Sequence, residues 1–193
     1  PGNLPCDSRG SPLMRLAAPE KKRTARSEQI ILFRVSGQLF AISSSSVQEV
    51  RSVDTLAGAA AEIAAPVLKK VKHIVRRGDK SLYVVNGALH FGLPVSPSAL
   101  VFILRRTRTA VLLDGIEQMS TMTMLQALPQ AFCHEERQWY RGLTAMDRNV
   151  VPVVKPEGFL SAEELALLDA SMPSGDAAGG ASTATEEGTE AEQ

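Results

Sequence analysis

The 193 residues of the chain are 44% hydrophobic and 22% charged, a composition typical of one globular domain of ordinary size with residues to spare for tails. Its 21 basic and 21 acidic side chains cancel, which gives no reason to expect a polyanionic partner such as nucleic acid or an acidic membrane. No apolar run approaches the roughly 20 residues that span a bilayer, and Cys6 and Cys133 form neither a CxxC pair nor a disulfide framework. We therefore expect a soluble protein of the reducing cytoplasm that does not insert into the membrane.

The two ends of the chain differ in charge from its middle. Residues 1–28 hold six basic and three acidic side chains, and residues 173–193 hold five acidic and no basic ones. The second segment has no Leu, Ile, Val or aromatic residue, so it cannot bury enough apolar surface to offset the entropy of ordering. We expect both segments to be disordered tails and one domain to span residues 29–172. The chain starts at Pro1, with Met14 as an alternative start, so residues 1–28 are left out of the fold prediction.

Pairs of short apolar runs around turn residues predict β-hairpins along the chain. The first pair flanks Ser36-Gly37, where glycine can adopt the positive φ of a tight turn. Later pairs have the same pattern of apolar runs around a polar turn: 99–104 with 110–113, and 142–146 with 150–154. One further run, 81–85, leads into Asn86-Gly87, which is a strong turn signal. Short strands with turns about every ten residues favour a sandwich or a barrel.

Two stretches depart from this strand pattern. Residues 43–46 are four serines that can form one helical turn, with a serine hydroxyl capping the free N–H groups. Residues 57–65 are rich in alanine and end before Pro66, which predicts a loop or a weak helix.

The clearest helix is predicted over residues 161–171. Ser161, with Glu164 three residues later, forms the pattern of a capping box at its start. An apolar edge follows, made of Leu165, Leu167 and Leu168.

The three histidines are the first candidates for catalysis or metal binding. His73 lies in a basic stretch, His90 lies between two apolar residues, and His134 belongs to the run CHEE at 133–136. Four consecutive ligands cannot all face one ion, and no second ligand pair at metal spacing occurs elsewhere. The run at 133–136 is therefore interpreted as a hydrophilic loop and not as a metal site.

Sequence motifs for chemistry are absent. The chain has no nucleophile elbow, no phosphate-binding glycine loop and no dinucleotide fingerprint. We therefore predict no catalytic residue, no cofactor and no metal, and a protein that is not an enzyme. An enzyme would need a convergent polar pocket around His134 or Asp114.

Basic side chains cluster in one short stretch, at Lys69, Lys70, Lys72, Arg76 and Arg77. They could contact phosphate, but they lack the interleaved aromatic side chains of an RNA-binding surface. A solvated strand edge, which discourages edge-to-edge pairing, is the favoured interpretation.

Taken in chain order, several segments resemble those of the CheW domain family. They are ILFRVSGQLFAI, the VQEV at 47–50, the Arg77-Gly78 pair, LVFIL, TAVLLDGIEQM, RGLTAMDRNVVPVV and LSAEELALLDA. The similarity covers roughly residues 29–171, and the ordered set is more specific than any one segment. The resemblance implies an all-β fold in which two five-stranded SH3-like β-barrels share one hydrophobic core, with a short C-terminal helix.

The same resemblance implies a function. It is that of a non-catalytic chemotaxis adaptor that couples receptors to the CheA histidine kinase. The implied partners are the regulatory domain of the kinase and the cytoplasmic tips of methyl-accepting chemoreceptors, which would place the protein in the cytoplasm at membrane-bound receptor arrays. The alternative is a diverged CheW-like interaction module that serves another two-component pathway, such as surface motility.

Carried over residue by residue, the resemblance also implies a partner-binding site. Glu49 and Arg77 match a family glutamate and arginine that are expected to pair near the receptor-facing groove, with Gly78 next in the chain. Val47, Ala110 and Met119 match small or apolar positions that line the same groove. An amphipathic receptor helix would lie in that groove. For each of these three, plain barrel core is an equally good interpretation.

Overall fold

The computed structural model describes residues 27–57, 60–63, 66–77 and 80–172. The segments predicted to be tails lie outside these ranges, apart from the last two residues of the first one. No helix among the described residues is long and apolar enough to cross a membrane.

Strands dominate the described part of the chain. In chain order they are β1 (Glu28–Val35), β2 (Gln38–Ser43), β3 (Val47–Ser52), β4 (Ala60–Glu62), β5 (Val71–Arg77), β6 (Lys80–Asn86), β7 (Leu100–Leu104), β8 (Thr109–Leu113), β9 (Gly115–Met122), β10 (Tyr140–Met146) and β11 (Asn149–Val154). The helices are α1 (Val53–Ala57), α2 (Gly87–His90), α3 (His134–Trp139) and α4 (Ala162–Ser171).

The strands form two sheets that are interleaved in sequence. The five-stranded sheet, in the order β10-β11-β2-β1-β9, is built from the two ends of the described chain. The six-stranded sheet, in the order β3-β7-β8-β6-β5-β4, uses only the middle. The all-β prediction is confirmed, and the three-residue strand β4 adds a sixth strand to the five expected in the second sheet.

The predicted hairpins form as the turn residues indicate. Ser36 and Gly37 both have positive φ, 50° and 77°, and they connect β1 to β2 with Phe33 opposite Phe40. The hairpins β7–β8 and β10–β11 are also confirmed. Asn86-Gly87 does not make a hairpin turn. Instead the Asn86 side chain accepts a hydrogen bond from the Leu89 backbone N–H at 3.1 Å and caps α2.

The inner strands of the sheets, such as β1, β2, β7 and β8, are buried on both faces, which explains why their sequences are apolar runs with little alternation. The outer strands β3 and β9 are largely exposed. Successive residues point to opposite faces, so Val85 packs between the sheets while Val84 packs on the far side of the six-stranded sheet. The side chains between the sheets form a cluster that we call the shared core; its largest fully buried members include Phe33, Tyr83, Phe102, Leu104, Leu113 and Phe159. The predicted shared core is confirmed.

Two smaller clusters cover the outer faces of the sheets. The cluster on the six-stranded sheet, which we call the six-strand core, contains Leu56, Val75, Leu82, Val84, Val101, Ile103 and Ala110. The cluster on the five-stranded sheet, the five-strand core, contains Ile30, Leu32, Ala41, Met122, Val151 and Val153. Each sheet therefore curves around its own core and also contributes to the shared one.

A backbone bridge joins the two outer strands of the five-stranded sheet. The chain after β9 meets β10 at Gln126, which exchanges hydrogen bonds with Leu143 at 2.7 and 2.9 Å. Thr144 donates its hydroxyl to the Met124 carbonyl at 2.9 Å. The approach is so close that a Cβ on Gly142 would lie 2.3 Å from the Gln126 carbonyl oxygen. The close approach of the segment after β9 to β10 therefore depends on glycine at this position.

Asp114 fixes the point at which the chain returns from the six-stranded to the five-stranded sheet. Its carboxylate accepts hydrogen bonds from the Gly37 backbone N–H at 2.9 Å and from the Ser96 hydroxyl at 3.1 Å. Its own backbone N–H donates to the Arg34 carbonyl at 2.9 Å. Because these bonds hold a crossover and a turn together, the fold accounts for Asp114 without a polar reaction pocket.

The C-terminal helix α4 forms as predicted. Ser161 accepts a hydrogen bond from the Glu164 backbone N–H at 3.1 Å, and Glu164 accepts one from the Ser161 N–H at 3.0 Å, which completes the capping box. Leu168 is buried in the shared core and Leu165 packs against it. The predicted apolar edge is wrong at Leu167, which is 47% exposed.

Three local predictions are corrected. Residues 133–136 begin helix α3 and not a loop, because Cys133 and Glu136 form a reciprocal capping box. In the stretch 57–65, a strand, β4, occupies residues 60–62, and helix α1 ends where this stretch begins. The serine run forms a 3-10 turn over 44–46, but Ser43 makes no side-chain cap to it.

We predict that Gly142→Ala lowers the free energy of unfolding by about 1–3 kcal/mol, the usual cost of overpacking. The added methyl group would collide with the Gln126 carbonyl oxygen. Gly115→Ala is the matched control in the neighbouring region, because a Cβ there meets nothing within 4 Å. Urea unfolding of both variants measures the difference, and equal stabilities would show that the bridge to β10 does not need glycine.

Candidate functional site

Strand β3 carries the predicted glutamate at the edge of the six-stranded sheet. A register shift between Val47 and Glu49 places Val47 opposite Leu104, on the side of the shared core, and Glu49 opposite Ile103, on the side of the six-strand core. Glu49 accepts a hydrogen bond from the Arg51 Nε at 2.7 Å, and both side chains are about a third exposed, 34% and 36%. The bulge therefore turns one strand into two surfaces, one apolar and one charged.

Arg77 and Gly78 were predicted to lie beside Glu49. The Arg77 backbone ends β5, where it pairs with Lys80 across the β5–β6 hairpin. The side chain of Arg77 and the whole of Gly78 lie outside the described residues. The pairing of Glu49 with Arg77 stays a prediction.

The three predicted groove residues occupy different depths. Ala110 is fully buried in the six-strand core, in one lateral row with Ile103 and Glu49 across β8, β7 and β3. Val47 is 8% exposed and Met119 is 64% exposed. The register brings Glu49 and Ala110 to one face of the six-stranded sheet, while Val47 and Met119 lie elsewhere.

Val47 and Met119 have a position in common that the sequence did not show. Met119 lies on β9, the outermost strand of its sheet, opposite Ile31, whose side chain belongs to the shared core. Residues directly opposite each other in neighbouring strands point to the same face, so Met119 points toward the space between the sheets. Val47 has the same orientation on β3, the outermost strand of the other sheet.

Two more apolar residues extend this pattern. Val50 on β3 pairs with Phe102 and is 40% exposed, and Ile116 on β9 pairs with Phe33 and is 39% exposed. We call the four residues Val47, Val50, Ile116 and Met119 the seam rim, because they lie at the sheet edges on the side of the shared core. The sequence did not predict Val50 and Ile116 as site residues. Their side chains are exposed because β3 and β9 are edge strands, and an apolar run does not show whether its strand lies at an edge.

A second surface, with a mixed polar and apolar lining, opens beside the shared core. It is a cleft of about 560 Å³, which we call the aromatic cleft. The rings of Phe40 and Phe91 stack there with centroids 4.3 Å apart, and Tyr140 lies parallel to Phe91 at 5.9 Å. Val150 at its edge is 67% exposed. Polar side chains, among them Arg34, Gln38 and Asn149, complete its lining.

The histidines do not come together. His73 is part of β5, His134 is exposed at the start of α3, and His90 is buried. Within the ranges that the structure describes, no group of three His, Cys, Asp or Glu side chains is placed to hold a metal ion.

His90 belongs to the packing of the helices. Its ring lies 4.7 Å from Trp139 and 5.0 Å from Phe159, measured between centroids. Its Nε2 atom has no hydrogen-bond partner among the described residues. Burial above all, with the positive charge of Lys70 nearby, lowers the pKa of His90 to about 3. A histidine held neutral in this way is a structural group.

The basic stretch is not a free strand edge. β5 pairs with β4 on one side and β6 on the other. Lys70, just before β5, forms an ion pair with Glu164 of α4 at 2.8 Å. This part of the stretch connects the six-stranded sheet to the C-terminal helix.

Two sheets around a shared core, with apolar surfaces left open at their edges, define a β-sheet domain built for protein interaction. The chain belongs to the CheW-like domain family, whose model matches residues 29–164. This makes it a CheW-like adaptor domain.

Comparisons with known proteins agree with this membership. The chain is 27% identical over 143 residues to the "Probable chemotaxis protein CheW" of Rhizobium etli, covering 70% of this chain and 89% of that protein. The fold is similar to the crystal structure of the scaffolding protein TtCheW from Thermoanaerobacter tengcongensis, with a TM-score of 0.55 and 13% identity over 66% of this chain and 88% of that one.

We predict that His90 makes the protein less stable in mild acid. An unfolded histidine has a pKa near 6.5, whereas folded His90 has a pKa of about 3, so between these values only the unfolded chain binds the proton. The free energy of unfolding should therefore fall by about 1.4 kcal/mol per pH unit from this group as the pH drops below about 6.5.

The measurement is urea unfolding at pH 7, 6 and 5, followed by the fluorescence of Trp139, the chain's single tryptophan. His90→Leu should flatten the dependence, whereas His134→Gln, which alters an exposed histidine, should keep it. An unchanged slope in His90→Leu would contradict the prediction.

Proposed function

We propose that this protein couples chemoreceptors to a CheA-type histidine kinase, acting as a scaffold without covalent chemistry. The observation that carries the proposal is the family match over residues 29–164, which covers most of the described chain. The names of the two relatives, a chemotaxis protein and a scaffolding protein, support it. The partners would be the regulatory domain of the kinase and the cytoplasmic tips of methyl-accepting receptors, at arrays on the cytoplasmic side of the membrane.

The seam rim is the surface that we propose for the receptor. Receptor tips would present an amphipathic helix, and such a helix binds by laying its apolar face into a groove. The seam rim offers exposed apolar side chains on two strands, and Met119 among them is unbranched and adapts to different partners. Val47, which is nearly buried, would support the groove from below.

Glu49 would set the orientation of the bound helix. It lies two residues after Val47 on the same edge strand and is held by Arg51, so its carboxylate has a defined position. An exposed ion pair of this kind contributes only about 0–1 kcal/mol to stability. Charges at the rim of an interface act mainly on specificity and on the rate of association. In this proposal Arg77 and Gly78 extend the charged surface around Glu49, on the face of the six-stranded sheet that also carries Ala110.

A coupling protein must hold two partners at once, so it needs two surfaces. The seam rim and the aromatic cleft share no residue, and both open on the shared core. Binding at one therefore leaves side chains of the other available. This arrangement supports a scaffold more than a protein with a single binding site.

We predict that the purified chain binds both the regulatory domain of its cognate kinase and a receptor-tip fragment. Isothermal titration calorimetry should give dissociation constants of about 10 μM or below, equivalent to about −7 kcal/mol or better. Absence of heat with both partners, each at several times that concentration, would contradict the proposed function.

We predict that Glu49→Arg weakens binding to the receptor tip at least tenfold, or about 1.4 kcal/mol, and leaves kinase binding unchanged. The reversed charge would remove the acidic side of the groove and repel Arg51. Glu157→Arg is the matched control, because it reverses an exposed glutamate in the 3-10 turn before α4. Equal receptor affinities for the two variants would remove Glu49 from the receptor site.

A further inference from the structure

The turn between β7 and β8 concentrates positive charge. Residues 105–108, which we call the arginine turn, have the sequence Arg-Arg-Thr-Arg. Arg106 has a φ of 62°, so the backbone turns sharply at this residue. Within the described ranges, the side chains of Arg105 and Arg106 make no hydrogen bond or ion pair with any other residue.

The third arginine anchors the turn to the end of α4. The Arg108 guanidinium donates two hydrogen bonds to the Asp169 carboxylate, one of them at 3.0 Å, and lies 5.7 Å above the centre of the Tyr83 ring. Tyr83 donates its hydroxyl to the same carboxylate at 2.7 Å. The last turn of α4 is therefore fixed beside the arginine turn.

A cleft of about 600 Å³ lies next to this anchor. It is lined by side chains from the arginine turn, from Gln48 on β3, and from Leu165 on α4. The Thr107 hydroxyl is buried there with no hydrogen-bond partner among the described residues. Arg106 and Arg108 also line the cleft, and a carboxylate accepts hydrogen bonds from guanidinium groups, so the cleft has donors that suit an acidic peptide.

The chain itself supplies an acidic peptide at this position. Residues 173–193, which follow directly after α4, hold five acidic and no basic side chains, with four of the five between Glu186 and Glu192. Fourteen residue steps separate Met172 from Glu186, and a chain of that length can span up to roughly 50 Å. Since Asp169 already contacts Arg108, the acidic residues can reach the arginine turn from the end of α4.

We propose that residues 173–193 bind the arginine turn of the same molecule. The carboxylates pair with Arg105 and Arg106. Each exposed pair is weak alone, but the covalent connection raises the effective concentration of the acidic segment to the millimolar range. The interaction does not depend on the proposed coupling function, because both binding groups belong to this chain.

The experiment places a spin label on the acidic segment of the full chain. Cys6→Ser and Cys133→Ser remove the native thiols, and serine can replace Cys133 as the cap of α3. A nitroxide is attached at Ala184→Cys, two residues before Glu186. Amide signals of residues 104–109 are recorded by NMR with the label oxidised and reduced. We expect these signals to be lost with the oxidised label, while those of the β10–β11 turn persist.

Changes of ionic strength and charge-altering substitutions distinguish specific binding of the acidic segment from chance proximity to the arginine turn. Raising the ionic strength from about 0.01 M to about 1 M shortens the Debye length from roughly 30 Å to roughly 3 Å, and the lost signals should return. The signals of residues 104–109 should also return in Arg105→Glu. They should stay lost in the control variant Arg148→Glu, which reverses the charge of an exposed arginine in the β10–β11 turn. Replacing the four glutamates after residue 185 by glutamine should restore them without any change to the folded domain.

Two outcomes would overturn the proposal. One is an equal loss of signal in the charge-neutralised segment and in the unmodified one, which would mean proximity without binding. The other is an equal loss of signal when an isotope-labelled chain without a nitroxide is mixed with a spin-labelled chain without isotope label, which would mean that the acidic segment binds a second copy. Since the glutamine variant leaves residues 104–109 unaltered, the test stands even if Arg105→Glu does not fold.

Discussion

The structure depends on burial of both faces of both sheets. A sheet with two apolar faces cannot be stable in water alone, so each of the two covers one face of the other and curves around a small core of its own. The residues between them include four buried phenylalanines, of which Phe33 packs against both Phe40 and Phe102. The inner strands of each sheet are covered on both faces, and the exposed apolar side chains of the seam rim lie on edge strands. The seam rim lies on the edge strands β3 and β9, the aromatic cleft lies beside the β1–β2 turn, and the arginine turn lies at the ends of the inner strands β7 and β8.

This constraint also determines how much could be predicted from the sequence. The hairpins around Ser36-Gly37 and the two later polar turns were predicted correctly, because turn chemistry and apolar runs are local signals. The capping box of Ser161 and Glu164 is equally local. Helix α3 was missed because its cap is a cysteine, which is a rare N-cap residue, and Asn86-Gly87 was misleading because Asn86 caps a helix as readily as it enters a turn.

The candidate site was harder to predict than the fold. Val47, Ala110 and Met119 all read as apolar strand residues, yet their exposure runs from 0% for Ala110 to 64% for Met119. What separates them is the position of each strand in its sheet, which is a long-range property. The bulge after Val47 is also invisible in the sequence, although it alone places Glu49 on a different face from Val47. Gly142 belongs to the same class, since its requirement for glycine comes from a segment 16 residues earlier.

The interleaved order of the two sheets has a consequence for how the protein is made. On the ribosome, every strand of the six-stranded sheet emerges before β9, so that sheet can pair while β1 and β2 still lack β9, β10 and β11. The five-stranded sheet is completed only after residue 154 has been synthesised, when β11 pairs in parallel with β2 more than 100 residues away in sequence. Contacts of such high separation slow folding. Until these contacts form, the apolar faces of the β1–β2 hairpin are only partly covered. The nascent chain is therefore most prone to aggregation before β9, β10 and β11 have paired.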